Sequence, residues 1–300
     1  CFDKRTKFLH YLPAVVIINN IEMDHADIYA NVEEIKLSFK RLMRVVPSSG
    51  MVFLNADCPN CLDVREAAAR ELSMVRTTSV GKSSEADVVI ADITETPEGS
   101  TFTLNGEPYR VPMVCECNVR NAAMAICAAR FAGLEPDQIR EALECFEGVA
   151  RRQELRGTVN GVTVIDDFAH HPTAIRASIE GIRKRFPNRR IWAIFDPRSN
   201  TTSRNIFQHE LAEALSDACL VVLSPIENPR KVPVDQRLNE EELAAEIRSH
   251  GKECYIGKSV DDIVRHVVEH AHPGDVLVAM SNGGFGGIHC KLLAELAKHS

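Results

Sequence analysis

Apolar and polar positions along the chain follow two alternating periods. Short runs rich in β-branched residues recur between longer stretches whose apolar residues stand three and four apart. That alternation predicts strands interleaved with helices, a parallel α/β architecture. AVVIINNI (14–21) reads as a buried strand and NVEEIKLSFKRLMRVV (31–46) as an amphipathic helix. MVFLNAD (51–57) is a second strand, CLDVREAAARE (61–71) its helix and DVVIADI (87–93) a further strand. STFTLNGEPYRVPM (100–113) alternates with period two about Asn105-Gly106, a strong hairpin signal. Two helices follow, NVRNAAMAICAARFAGL (118–134), stopped by Gly133, and PDQIREALECF (136–146).

A second unit is predicted to begin after GVARRQELRG (148–157). TVNGVTVIDDF (158–168) is a hairpin about Asn160-Gly161, and a helix follows over 173–186 with Ile175, Ile179 and Ile182 on one stripe. RIWAIFD (190–196), CLVVLSP (219–225), ECYIG (253–257) and DVLVAMS (275–281) are strands. Helices at FQHELAEALSDA (207–218), EEELAAEIRSHG (240–251) and VDDIVRHVVEHA (260–271) separate them, and a Gly-rich loop leads to a last helix. This is the pattern of a doubly wound sheet, in which ligands bind outside the carboxyl ends of the strands. No internal repeat or low-complexity linker is evident, and 300 residues suit two domains.

Composition narrows the class. The chain is 45% hydrophobic and 26% charged, as expected for a globular protein with a sizeable core. A formal net charge of -7 argues against general affinity for nucleic acid or an anionic membrane, so an anionic ligand needs local donors. No apolar stretch reaches bilayer length, and the opening CFDKRTKFLHYL lacks the layout of a signal peptide. Ten scattered cysteines in a chain of this size are expected to be reduced thiols, which points to the cytoplasm. Because the first residue is Cys1 and not Met, the chain is expected to be part of a longer polypeptide.

Residues that can do chemistry collect where strands are predicted to end. In DDFAHHP, Asp166, Asp167, His170 and His171 follow one strand. As a metal site the adjacent histidines are awkward, because consecutive side chains diverge. As a ligand handle, an Asp accepts from ribose hydroxyls and a His donates to phosphate; solvated surface is the plain alternative. INNIEMDHADIY puts Asn20, Glu22, Asp24 and His25 at another strand end. Mg2+ takes few protein ligands and keeps waters and substrate phosphates, so a carboxylate and one His would suit it; a helix N-terminus explains the same acids. FDPRSNTTSR carries Arg198 and Arg204, and ENPRKVP carries Arg230 and Lys231, at the same end of the sheet. Guanidinium forks there match phosphate or carboxylate. SNGGFGGIHCK resembles a phosphate-cradling loop only loosely, and close backbone packing explains its glycines equally. CPNC (58–61) and CEC (115–117) offer four thiols, but the one-residue spacing of the second pair is poor for zinc, and Cys is common as a small buried residue.

Taken in order, these segments resemble the Mur ligases, the ATP-dependent amide-forming family of peptidoglycan synthesis, over essentially the whole chain. NNIEMDHADIY is similar to the family's Asn-Ile-Glu-x-Asp-His segment, which implies that His25 ligates Mg2+. CNVRNAAMAI resembles its His-Asn-x-x-Asn-Ala helix start, implying that Asn118 and Asn121 meet the adenine of ATP. GVARRQE resembles its Gly-x-x-Arg-Arg segment, whose second Arg, here Arg152, reaches the nucleotide phosphates. DDFAHHPTAIRASI is similar to the Asp-Asp-Tyr-Gly-His-His-Pro-Thr motif of the muramate–alanine branch and adds Asp167 and His170 to the nucleotide set. FDKRTKFLHYLP, FDPRSNTT and SNGGFGGIHCKLL look most like the branch that joins UDP-N-acetylmuramate to the tripeptide L-alanyl-γ-D-glutamyl-meso-diaminopimelate in peptidoglycan recycling. On that likeness Arg198 and His25 are the catalytic residues, and Arg198, Asn200, Ser281 and Asn282 meet the substrates. Arg230, in an ENPR similar to the family's Asp-Asn-Pro-Arg, would take the peptide's distal carboxylate.

The resemblance implies part of a P-loop-type central ATP-binding domain over 1–153, then a Rossmann-like doubly wound C-terminal domain over 154–300. It implies carboxylate activation as an acyl phosphate, capture by the peptide amine, and closure of one domain on the other. The expected partners are the two small-molecule substrates, with no nucleic acid, no membrane and a monomeric chain. Three features depart from the family pattern. The P-loop, the N-terminal UDP-binding domain and the Glu that shares the magnesium are expected upstream of Cys1, so the chain alone is expected to be inactive. Cys117 stands where the family usually has His. Lys40 falls at the count of a carbamylated lysine in several relatives, but the nearer branch aligns Phe39 there, so no carbamate is assigned. Three other readings remain open at this point: the muramate–alanine branch, a metal-dependent hydrolase using the Asp and His loops, and a non-catalytic domain that binds a wall peptide or nucleotide.

Overall fold

Strands β1 (Val15–Ile18), β2 (Met51–Asn55), β3 (Thr77–Gly81) and β4 (Val88–Thr96) lie side by side and parallel, in chain order. Strands β5 (Gly99–Leu104) and β6 (Glu107–Val111) extend that sheet antiparallel. The computed structural model describes residues 6–72, 74–226 and 232–298. The chain divides into two compact units, Cys1–Glu147 and Gly148–Ser300.

Both faces of the first sheet are covered, as a parallel sheet requires. Val16, Ile18, Val52 and Leu54 pack against α1 (Val32–Arg44) and α2 (Pro59–Glu71), through Ile35, Leu42, Met43, Val64 and Ala68. Met51, Phe53, Val80 and Ile90 pack on the other side against α3 (Glu116–Phe131) and α4 (Pro136–Glu144), through Val119, Ala123, Ile126 and Ile139. Local chemistry sets the ends of α1: the Asn31 side chain accepts from Glu34 N–H at 3.1 Å, and Glu33 and Glu34 occupy the positive first turn. The β5–β6 hairpin turns on Asn105 (φ 48°) and Gly106 (φ 83°), the left-handed pair that a two-residue turn demands.

Two local features differ from the sequence pattern. The first strand stops at Ile18, and beyond it the carbonyls of Asn19 and Ile21 accept from the side-chain amides of Asn55 and Asn60. β3 forms where no strand is expected: TTSVG offers one strongly apolar side chain, Val80, and the strand is held by pairing on both edges and by Ser79, whose N–H donates to Asp87 at 2.7 Å.

The second unit carries β7 (Glu154–Val159), β8 (Val162–Asp167), β9 (Ile191–Phe195), β10 (Leu220–Leu223), β11 (Glu253–Ile256) and β12 (Val276–Met280) in the order β11-β10-β9-β12-β8-β7. Only β7, an edge strand, runs antiparallel. Ile191, Ala193 and Phe195 point to α5 (Pro172–Arg185), α6 (Gln208–Leu215) and α7 (Glu240–Ser249). Trp192 and Ile194 point to α8 (Val260–His270) and α9 (Ile288–Leu296). The last strand, β12, fills the slot between β8 and β9 and aligns Met280 with both Asp167 and Phe195, so three strand ends fall in line. Among the described residues no helix is long and apolar enough to cross a membrane.

Asp275, just before β12, fastens the opposite end of this sheet. It is buried and accepts from Arg190 Nε (2.9 Å), Trp192 Nε1 (2.9 Å) and His272 N–H (2.9 Å). Burial pushes its carboxyl pKa up, but Arg190, His272 N–H and Trp192 together outweigh burial and hold it below the usual range. Asp275→Ala should therefore lower the unfolding free energy by about 2–3 kcal/mol, read by urea denaturation at neutral pH. Because the folded pKa is depressed, the contribution is present above the ordinary carboxylate pKa of about 4 and disappears as pH falls through the folded value. The difference between variant and parent should shrink accordingly in acid, and a difference that grows there would refute this account.

Candidate functional site

Alignment of β8, β12 and β9 gathers a polar network at their carboxyl ends. Asp196 directly follows β9 and is 3% exposed; Ser281 follows β12 and is 2% exposed. Ser281 Oγ donates to Asp196 Oδ2 at 2.8 Å, and Ser224 Oγ, beyond β10, donates to Oδ1 at 3.0 Å. Arg198, two residues on, has Nε 4.0 Å from Asp196 Oδ2. Its guanidinium lies on Gly283: a Cβ there would stand 2.5 Å from Arg198 Cδ and 2.6 Å from one terminal nitrogen. The glycine is thus required by close approach, which explains at least one glycine of the SNGGFGG loop. Asn282 beside it buries Oδ1 without a hydrogen-bond partner among the described residues. Asn200 is exposed.

The DDFAHHP segment joins the same network from β8. Ser281 N–H donates to the Asp167 carbonyl at 3.1 Å. The Asp167 carboxylate is 3% exposed and accepts from Ala169 N–H (2.7 Å), Gln153 N–H (3.0 Å) and Ser178 Oγ (2.8 Å). Burial raises its pKa, against the pull of these donors and of the Arg152 charge. Asp167 therefore ties the Arg151–Gln153 turn to the start of α5. That turn is strained, with Arg151 at φ 60° and Gln153 at φ 50°, and Phe168 N–H closes it on Arg151 O at 2.7 Å. Both guanidinium groups sit over the Phe168 ring, Arg151 at 5.1 Å and Arg152 at 5.0 Å. Arg152 is exposed, whereas Arg151 donates to the carbonyls of Ser281 and Gly283 at 2.7 and 2.6 Å. His170 bonds through Nδ1 to Phe168 O at 2.9 Å, and His171 caps α5.

Asp166 points to the other face of β8, away from Asp167. Its Oδ2 lies 3.3 Å from Arg151 Nε and its Oδ1 3.2 Å from His289 Nε2, the latter out of hydrogen-bond alignment. Burial lowers the His289 pKa, although Asp166 opposes it. Asp166 is marked in the sequence as part of DDFAHHP, but His289 and Asp196 are not, though a carboxylate ending an apolar strand was a readable signal at 196.

In the first unit the residues after β1 are fixed by amides. Asn55 Nδ2 donates to Asn19 O at 2.9 Å, Asn60 Nδ2 to Ile21 O at 2.8 Å, and Asn19 Nδ2 to Asn121 Oδ1. Asn121 is thereby brought to the loop that carries His25, a link the spacing does not reveal. Asn118 donates to Val114 O at 2.8 Å and stays with its own helix start. His25 adopts φ 52°, with its carbonyl accepting from Ile28 and Tyr29 N–H at 2.8 and 3.0 Å, and its side chain is 69% exposed. Such a ring can serve an ion whose remaining ligands are water and phosphate. Among the described residues no group of three or more His, Cys, Asp and Glu is arranged to hold a metal ion, the CPNC and CEC thiols included. Arg204 turns away from Arg198 to Gln236, and Arg230 and Lys231 lie outside the described residues.

Comparison with known proteins gives matches in both units. Residues 3–129 match the family model described as Mur ligase middle domain, and residues 151–283 that described as Mur ligase, glutamate ligase domain. The chain is 37% identical over 308 residues to the UDP-N-acetylmuramate–L-alanyl-γ-D-glutamyl-meso-2,6-diaminoheptandioate ligase of Escherichia coli, covering 99% of this chain and 62% of that protein. A UDP-N-acetylmuramate–L-alanine ligase of Lachnospira eligens is 31% identical, covering 92% of this chain and 60% of its own length. The crystal structure of a murein peptide ligase from Psychrobacter arcticus aligns with a TM-score of 0.69 at 33% identity, covering 99% of this chain and 60% of that one. The chain thus spans about three fifths of the length of these relatives.

The role of Asp167 as the tie between the Arg151–Gln153 turn and α5 can be measured by amide hydrogen exchange. Asp167→Ala should speed exchange at Gln153 and Ala169 by about tenfold or more, the loss of one hydrogen bond to a charged acceptor. Ser178→Ala should leave both amides nearly as slow as in the parent. Equal rates in Asp167→Ala and parent would show that other contacts hold the turn.

Proposed function

The chain belongs to the Mur ligase family, and from that premise we propose that it serves ATP-dependent amide-bond formation between UDP-N-acetylmuramate and the tripeptide L-alanyl-γ-D-glutamyl-meso-diaminopimelate. The observation that carries this reading is the Arg198 cluster: a guanidinium anchored near Asp196, seated on Gly283, in one network with Ser281. Likeness to the tripeptide ligases supports the choice of peptide. We assign the reaction to the cytoplasm, where ATP and UDP-linked sugars occur.

In the proposed reaction the lactyl carboxylate takes the γ-phosphoryl group of ATP, giving an acyl phosphate and ADP. The amine of the peptide's alanine then adds to the acyl carbon, loses a proton and expels phosphate. Negative charge grows on phosphoryl and tetrahedral oxygens, so fixed cations are the groups that accelerate it. Arg198 steadies that charge or the incoming peptide, with Asn200, Ser281 and Asn282 beside it. The unpartnered Oδ1 of Asn282 suits an N–H of the peptide. Arg230 is assigned to the peptide's distal carboxylate.

Arg152, exposed and braced on Phe168, is assigned to the ATP phosphates, with His170 beside it. Asp167 contributes by holding the turn that presents Arg152. Asn121 and Asn118 are assigned to the adenine, Asn118 through the helix entry it fixes. The exposed imidazole of His25 fits Mg2+, which would supply Lewis-acid stabilisation of phosphoryl oxygens. The muramate–alanine branch is the second reading, favoured by the relative from Lachnospira eligens.

Ligation by the intact gene product separates these readings. With Mg2+, ATP and UDP-N-acetylmuramate, the tripeptide should yield ADP, phosphate and UDP-muramoyl-tripeptide in equal amounts, identified by mass spectrometry. Arg198→Ala should slow that reaction by about 100-fold or more while the protein remains folded. Product from L-alanine alone would move the protein to the other branch, and hydrolysis without ATP would overturn the ligase reading.

A further inference from the structure

We propose that His289 is a positioning residue of the candidate site: its Nε2–H is shared with Asp166, which holds Arg151 on the loop that seats Arg198. This rests on the reading that Arg198 serves ligation, while the link from His289 to the loop stands on geometry. His289 is the second residue of α9, which packs on β7 and β8, and its ring is buried beside Ile288 and Leu292. Asp166 Oδ1 and His289 Nε2 are both buried without a hydrogen-bond partner among the described residues, yet they stand 3.2 Å apart. That distance leaves no room for a water between them, so each atom must satisfy the other. A turn of the ring about its Cβ–Cγ bond aligns the N–H with the carboxylate.

Protonation decides whether that contact attracts or repels. Burial lowers the His289 pKa; Arg156 and Arg151 act in the same direction, and Asp166 and Glu154 oppose them. The ring is thus uncharged at neutral pH and carries a single N–H. That hydrogen belongs on Nε2, because a nitrogen lone pair facing a carboxylate oxygen would be repelled by it. An uncharged donor satisfies Asp166 Oδ1 without competing for the anion, and Oδ2 is left to Arg151 Nε at 3.3 Å. Glu154, the second carboxylate here, stands opposite Asp166 in the β7–β8 register. It is engaged by Arg156 at 2.9 Å and by the Arg151 N–H at 2.8 Å.

The guanidinium is a rigid fork, so the partner of its Nε fixes where its other nitrogens point. With Nε on Asp166, one terminal nitrogen reaches the carbonyls of Ser281 and Gly283 at 2.7 and 2.6 Å. Gly283 is the residue on which the Arg198 guanidinium lies. A carboxylate held at only one oxygen can swing about its Cβ–Cγ bond. Losing the His289 donor frees that swing, and Arg151 follows it away from the loop. His289 touches no reactant in this account. It acts through Asp166 and Arg151, as outer support for groups that must stay within about 0.5 Å of their working positions.

Nitrogen NMR of the whole chain, labelled at histidine, reads the proton directly. At neutral pH the His289 Nε2 should show the shift of a protonated ring nitrogen and Nδ1 that of an unprotonated one. The signal is assigned by its loss in His289→Gln, and an unprotonated Nε2 overturns the proposal. Amide exchange then reads the loop at the Gly283 N–H, which donates to Ser281 Oγ at 2.9 Å. His289→Leu, which fills the space but cannot donate, should speed that exchange about tenfold, the loss of roughly one hydrogen bond. His289→Gln, which keeps an N–H at similar reach, should stay close to the parent. A packing role alone would give the reverse order, and equal rates in all three would break the link; either result refutes it. In the intact gene product His289→Leu should lower kcat for ligation about tenfold with the KM for ATP within about twofold, and His289→Gln should keep most of the activity. An unchanged kcat in His289→Leu is equally fatal. If the unaltered protein ligates nothing, the ligase reading fails, whereas the nitrogen shifts and the loop exchange still decide what His289 does.

Discussion

A parallel sheet sends the carboxyl end of every strand to one edge, and in the second unit the pairing of β12 between β8 and β9 sets which ends become neighbours. The polar network of the second unit follows from that register. Asp167, Ser281 and Asp196 come from segments more than a hundred residues apart at the extremes, yet they stand on adjacent rungs. The Arg198 guanidinium then meets Gly283 because both loops leave the same corner of the sheet.

Buried carboxylates impose the next constraint. Asp166, Asp167 and Asp196 are each almost removed from solvent, and a charge so placed must be met by donors or its burial is costly. The donors come from loops: Gln153 and Ala169 amides for Asp167, Ser281 and Ser224 hydroxyls for Asp196, the Arg151 guanidinium for Asp166. Satisfying the acids therefore dictates loop conformation, including the left-handed Arg151 and Gln153 that set Arg152 at the surface. Charge satisfaction shapes the cationic face, and not the reverse.

Much of this fold is legible in the chain because its signals are local. Asn105-Gly106 and Asn160-Gly161 mark their hairpins by needing left-handed backbone, and the isoleucines of α5 mark its buried stripe. β3 escapes notice because TTSVG carries little apolar signal and owes its state to neighbours on both sides. The site is less legible than the fold for the same reason. DDFAHHP puts Asp167 at a strand end, but its partners at 153 and 178 appear only once the chain is folded. Asn19, Asn55 and Asn60 look like ordinary strand-end amides until they are seen pinning the loop before His25.

The placement of β12 also carries a kinetic consequence. Its slot lies in the middle of the sheet, while its residues are among the last of the unit to be made. During synthesis β8 and β9 have no partner between them, so the central pairing of this unit cannot close until β12 has left the ribosome. Among the described residues the first unit pairs its strands in the order they emerge. It can therefore settle while its neighbour is still an open sheet with two unpaired inner edges, the state in which a newly made chain most needs a chaperone.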